Sequence, residues 1–154
     1  MGNVHAEITL RNGGDVVLAR NGYIKERDIR SLTTTALVDT GAMTLVIGEG
    51  MREQLGLAIT APDSVALTGG AEAPCSITES VEVRWQDRTA CVRAWVLTGD
   101  EKVLIGVIPL EDMNRVVDPV NETSVRSPKP KRARGLKLVK HVLGRHRLSR
   151  ALYG

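Results

Sequence analysis

The chain contains no phenylalanine, and tryptophan and tyrosine together supply four of its 154 residues. Its core must therefore be filled by Val, Leu, Ile, Ala and Met, and the Val, Ile and Thr that recur in short runs favour strands. Cysteine is almost absent. Cys75 and Cys91 are too few for a disulfide framework or a cysteine-held metal, and no CxxC occurs. They read as two reduced, small, buried residues of a cytosolic protein, a single bridge being the alternative. No apolar run approaches the ~18 residues of a membrane-spanning helix, and no charged-then-apolar leader opens the sequence. Met1-Gly2 begins like a myristoylation signal, but Ala6 occupies the place of its Ser or Thr. The expectation is a soluble, cytoplasmic protein.

Frames for bound groups are missing too. His5, His141 and His146 are scattered, without HExxH, and read as solvated side chains rather than ligands. Gly13-Gly14 and Gly69-Gly70 lack both GxGxxG and GxxxxGK, which argues against phosphate binding. Neither a metal nor a cofactor is expected. Trp85 and Trp95 fall on expected strands and read as core or sheet-face residues.

Charge is present in ordinary amount but unevenly spread. Residues 126–154 hold ten Lys or Arg and no acid, so 21 less 10 leaves 11 bases against 18 acids in the rest of the chain. An acidic body thus carries a strongly basic tail. Such a tail is either a solvated extension or a contact for an anionic partner, nucleic acid or a membrane surface. Ser127-Pro128-Lys129-Pro130 marks the linker, and Leu136, Val139 and Leu143 recur beyond it at the spacing of a basic amphipathic helix. Two units are expected: a domain over residues 1–125 and a tail over residues 126–154.

The body reads as all-β. Val4, Ala6, Ile8 and Leu10 alternate as a strand, Asn12-Gly13-Gly14 signals a turn, and Val16 to Ala19 restarts a strand to make a hairpin. Ala36-Leu37-Val38 and Leu45-Val46-Ile47 are buried runs, and Glu49 to Leu57 suits a short helix ending near Gly56. Val65 to Leu67 and Ile77 to Trp85 read as strands joined by the Gly-rich turn 68–74, and Cys91 to Leu97 alternates again after the turn Gln86-Asp87-Arg88. Val103-Leu104-Ile105 is an apolar run closed by Gly106. A helical turn follows, opened by Pro109, and then come short extended pieces at 116–119 and 123–125. The sum is seven or eight short strands with one or two short helices, a closed barrel or a sandwich.

The chemistry centres on Ala36-Leu37-Val38-Asp39-Thr40-Gly41-Ala42. An acid at the end of an apolar strand is costly unless its oxygens find donors. Gly41 permits a tight turn that brings backbone N–H groups to the carboxylate, and Thr40 adds a hydroxyl. By itself Asp-Thr-Gly also fits a plain buried turn satisfied by backbone amides. A second apolar–apolar–Gly, Leu104-Ile105-Gly106, lies far downstream ahead of a short helix.

With that spacing the pair resembles the two halves of the ψ-shaped structure of retropepsin-like aspartic proteases. The stretch from Val103 through Leu110-Glu111-Asp112-Met113 to Pro119 is similar to the C-terminal part of bacterial single-domain members. The resemblance covers roughly residues 4–125. It implies an acid-protease subunit with Asp39 as the catalytic aspartate, Thr40 gripping the partner subunit's loop, and Gly41 and Ala42 offering backbone groups. Gly106 would pack under the loop, and Leu67, Thr68, Gly69, Gly70 and Ala71 would form a flap over an extended peptide or protein substrate. The mechanism needs two carboxylates that share a proton, and the sequence has one Asp-Thr-Gly, so the resemblance implies a homodimer.

Asp112 and Asp118 are the rival acids; the first reads as a helix surface residue and the second, before Pro119, as a turn cap. Two other functions remain open at the level of sequence. One is a non-catalytic peptide-binding or assembly module with the same fold, and the other a nucleic-acid-associated protein acting through its tail.

Overall fold

The structure is a computed structural model. It describes residues 4–67, 69–99 and 102–118 in full and residues 123–126 as backbone. The expected tail helix and the linker before it lie outside the described residues, as does Thr68.

The element order is β1 (Val4–Asn12), α1 (Gly13–Arg20), a 3-10 turn at Glu26–Asp28, β2 (Ser31–Val38), β3 (Leu45–Gly48) and α2 (Glu49–Gln54). Then follow β4 (Ile59–Ala66), β5 (Glu72–Trp85), β6 (Arg88–Leu97), β7 (Leu104–Ile105), α3 (Val107–Asp112), β8 (Arg115–Asp118) and β9 (Thr123–Arg126). Seven strands form one sheet in the order β1-β2-β7-β3-β6-β5-β4, and an added β1–β5 pairing closes six of them into a ring. This is the expected all-β barrel. β4 hangs outside the ring on the first half of β5, and β8 and β9 form a separate two-stranded sheet.

Alternation sets the inside of the barrel. Val4, Ala6, Ile8 and Leu10 of β1, Val81, Val83 and Trp85 of β5, and Ala90, Val92, Ala94 and Val96 of β6 are all buried in one cluster. Leu45, Ile47 and Ile105 close it from the short strands, and Leu55 and Leu57 after α2 plug it. Branched aliphatics do the work that aromatic rings do elsewhere.

The sequence reading needs four corrections here. Residues 16–19 are helix, not strand. The Asn12 side chain caps α1 by accepting the Asp15 N–H at 3.0 Å, Asp15 sits in the first turn and Arg20 in the last, so cap and dipole both favour the helix. β4 begins at Ile59, well before the expected Val65, and β5 at Glu72 rather than Ile77, so residues 72–74 are strand and not turn; the two pair along the sheet edge, where Pro62 is tolerated. Cys91 is exposed, since it points outward from β6, while Cys75 is buried as expected. Pro109 is the third residue of α3 rather than its opener.

Asn12 also ties α1 to the body. Its Nδ2 donates to the Leu55 and Gly56 carbonyls at 2.9 and 3.3 Å. The β1–β2 register pairs Val4 with Val38 and Arg11 with Ser31. Asp39 therefore lies at one end of the barrel and α1 at the other, separated by seven strand residues or roughly 24 Å.

Candidate active site

Asp39 follows the last residue of β2, where the parallel pairing with β7 ends. Its N–H continues that ladder by donating to the Ile105 carbonyl at 3.0 Å. The chain then turns back on the carboxylate. The Gly41 N–H donates to Asp39 Oδ1 at 2.8 Å, and the Ala42 N–H donates to the Asp39 carbonyl at 3.1 Å. The side chain is half-buried, with one oxygen held by the backbone.

Gly41 earns its place through closeness. A Cβ there would stand 3.1 Å from Asp39 Oδ1, and Gly41 is not among the described glycines of positive φ. Gly106 is more constrained. A Cβ on it would stand 2.5 Å from the Ala42 carbonyl oxygen and 2.6 Å from that of Thr44. The two segments are laced together at this point. The N–H groups of Gly106, Val107 and Ile108 donate to the carbonyls of Thr44, Ala42 and Met43 at 3.0, 3.0 and 2.9 Å. The start of α3 is thus a clamp on the Asp39 loop.

Thr40 is exposed and lines a groove of about 260 Å³ whose walls include Val107, Leu110, Asn114, Arg115 and Val116. Around the loop, Met43, Ile108 and Val116 expose 60%, 49% and 46% of their surface. Met43 of the loop, Ile108 of α3 and Val116 of β8 thus make an apolar fringe of exposed side chains. Beneath it, Arg115 is buried, lies 4.7 Å from the centre of the Trp85 ring and donates to Gln86 Oε1 at 2.9 Å. These contacts dock the β8–β9 hairpin to the β5–β6 turn.

The loop's remaining anchor was not singled out from the sequence. Thr44 is buried and its hydroxyl donates to the Arg93 carbonyl at 3.0 Å, fastening the Asp39 loop to β6. A lone Thr before an apolar run carries no signal of that bond. Nor did the outward aim of Met43 and Ile108 show, because both sit in mixed stretches without period.

Of the expected flap residues, Leu67, Gly69, Gly70 and Ala71 form the tip of the β4–β5 hairpin. Leu67 N–H donates to the Ala71 carbonyl at 2.7 Å, and Gly69 and Gly70 take φ of +104° and +84° that favour glycine. Asp112 ends α3 on the surface and Asp118 lies in β8, half-buried. His5 is an exposed residue of β1 opposite Leu37; His141 and His146 lie outside the described residues. Among the described residues, no group of three or more His, Cys, Asp or Glu is placed to hold a metal, and no helix is long and apolar enough to cross a membrane.

A closed β-barrel with an acid loop clamped by an apolar–apolar–Gly segment is the architecture of acid-protease subunits. Residues 25–108, more than half the chain, match the model of an aspartyl protease family in the pepsin-like and retropepsin clan, and the chain belongs to that family. No curated protein matches the chain at a significant level. The matched span takes in β2, the Asp39 loop, the β4–β5 hairpin and the Leu104-Ile105-Gly106 segment. Membership supports a peptidase, and so a hydrolase, in general terms.

Proposed function

We propose that the protein is an aspartic endopeptidase that works as a homodimer, with Asp39 of two copies forming the catalytic pair. The observation that carries this reading is a half-buried carboxylate, fixed by the Gly41 amide on a loop whose own Met43 and whose neighbours Ile108 and Val116 are exposed. A two-fold axis beside Asp39 would bury that fringe and bring the two acids together. Thr40 at the rim would meet the partner's loop, while Gly41, Ala42 and Gly106 hold the loop in shape. The hairpin tip, residues 67–71, would close over an extended substrate. The protease domain would then be residues 1–125, with 126–154 as a basic appendage. Cys75 and Cys91 stand unpaired, which suits the cytoplasm.

Two carboxylates held close share one proton. The ionised one takes a proton from a water, and the water oxygen bonds to the peptide carbonyl carbon. The protonated one gives its proton to the carbonyl oxygen. As the C–N bond breaks, the carboxyl that took the water's proton passes it to the leaving nitrogen, one hydroxyl of the tetrahedral intermediate gives its proton to the other carboxylate as the new carboxyl group forms, and the pair again holds one proton. One water is consumed per bond cut.

The test pairs sedimentation with digestion of an unstructured protein by the native and Asp39→Asn forms. The native protein should be dimeric and active, and the variant should lose at least about a hundredfold in rate while remaining dimeric. Retained activity in Asp39→Asn would refute the mechanism. A dimer that never cuts would point to the binding-module reading instead.

A further inference from the structure

Between residues 53 and 83 there is no Lys, Arg or His, while Glu53, Asp63, Glu72, Glu79 and Glu82 all fall there. This stretch holds β4 and the part of β5 that pairs with it, residues 72–78. Glu82 is buried against Arg11 and Arg84, and Glu53 stands near Arg52. Asp63, Glu72 and Glu79 are exposed, and none takes part in an ion pair among the described residues. Arg93 of β6 donates to Thr60 Oγ1 at 2.6 Å at the start of β4, so the charge without a neighbouring cation is that of Asp63 and Glu72 further along the hairpin, and it sets the local field for whatever lies against it.

The register shows which way two of these charges stand. Asp63 pairs with Cys75 and Val65 with Ala73, so the four share one face of the hairpin. Val65 and Cys75 are buried, which turns that face toward the protein, and Asp63 remains exposed at its rim. Glu72 pairs with Ala66 at the tip, beside the exposed Leu67. Among the described residues β4 has β5 as its sole strand partner, which leaves its other edge open to an added strand. By the same alternation Ala66 and Glu72 stand on the opposite face, so an extended segment along that edge, whose own side chains alternate, would have Asp63 toward one of its faces and Glu72 toward the other.

We propose that Asp63 and Glu72 set the substrate class, namely extended polypeptide segments rich in Lys and Arg. This rests on the reading of Asp39 as the cleaving group. The acidic hairpin draws such segments in and holds their flanks, and it disfavours acidic ones. The chain's own residues 126–154, ten cations and no acid, belong to that class.

The experiment uses the full-length protein and three peptides that share one neutral apolar segment. The flanks are residues 127–134 of this chain, the same stretch with Gln for each Lys and Arg, or with Glu. The native protein should cleave the cationic peptide with a kcat/KM about three- to tenfold above that of the Gln peptide, the effect of two partly screened charges. That ratio should fall to near one at high salt and in the double variant Asp63→Asn/Glu72→Gln. Glu7→Gln, the loss of one acid on β1, should leave the ratio where it was, and thermal unfolding should show all variants folded. Equal cleavage of the three peptides, or a preference that survives the double variant, overturns this inference alone. No cleavage of any peptide, or cleavage unchanged in Asp39→Asn, overturns the endopeptidase reading with it.

Discussion

Replacing Gly106 with alanine tests the clamp between α3 and the Asp39 loop. The new methyl would lie 2.5 and 2.6 Å from two backbone oxygens and 2.7 Å from the Ala42 carbonyl carbon. Real carbon–oxygen contacts need more than 3 Å, and neither partner is a flexible side chain that could swing away. The segments must part by at least about half an ångström. Overpacking of this kind costs ~1–3 kcal/mol. The three hydrogen bonds from Gly106, Val107 and Ile108 lengthen together, each worth ~0.5–1.5 kcal/mol net. Because one displacement causes both losses, they overlap, and a total of about 2–4 kcal/mol is expected. For a domain of this size that lowers the melting temperature by roughly 10 °C. Peptide cleavage should fall further than unfolding explains when measured well below the transition, since the parting moves the Asp39 turn itself. Gly50→Ala is the matched control. Its Cβ would meet nothing within 4 Å, it lies in α2, and the change should be neutral or stabilising by up to ~1 kcal/mol. Scanning calorimetry on both variants decides the matter. A Gly106→Ala protein that melts within about 2 °C of the native one would refute the clamp.

Two further outcomes follow from the remote end of the barrel and from the thiols. Asp15 accepts hydrogen bonds from Arg30 N, Nε and Nη2 at 3.1, 2.8 and 2.9 Å, and the Arg30 guanidinium holds its carboxyl below the usual range. A depressed folded value means that stability is present above the unfolded value of about 3.8 and is lost as pH falls through the folded one. Asp15→Asn should cost ~1–3 kcal/mol at neutral pH and much less near pH 2, read from urea unfolding at both values. Titration with a thiol reagent should find one fast group, Cys91, in the native protein and two after denaturation. Burial, together with Glu82 and Asp112, pushes the Cys91 thiol up, so its rate should climb steeply through the alkaline range. Equal rates for the two native thiols would contradict the placement of Cys75.

Strands with a strict inside–outside alternation were legible, because period two carries its own evidence: β1, β6 and the second half of β5 fall where Val4 to Leu10, Cys91 to Leu97 and Ile77 to Trp85 alternate. The runs at 36–38 and 45–47 were equally plain. α1 was misread because four apolar residues after Asn-Gly-Gly fit a hairpin as well as a helix. The deciding fact is a single hydrogen bond from the Asp15 N–H to the Asn12 side chain. The outer half of β4 is polar and holds a proline, and it is a strand only because β5 offers it an edge. Ring closure through β1 and β5 joins Thr9 to Arg84 across most of the domain, and no local pattern encodes such a pairing. At the candidate site, Asp39, Gly41 and Gly106 could be named from spacing and resemblance. Why each glycine is needed became clear only from the atoms a Cβ would meet.

The barrel closes without β4, and that has a consequence for motion. Every strand of the ring has two neighbours in the ring, so loosening one ladder leaves each strand held by the other. β4 is anchored along one side only, and its tip turns on two glycines in left-handed geometry. Peeling β4 from β5 breaks one ladder and leaves β5 paired with β6 and its Val81–Val83–Trp85 half seated in the core. Amide exchange should therefore separate into two regimes, with the residues of β4 exchanging through a low-energy local opening and those of β1 and β6 waiting for the whole molecule to come apart.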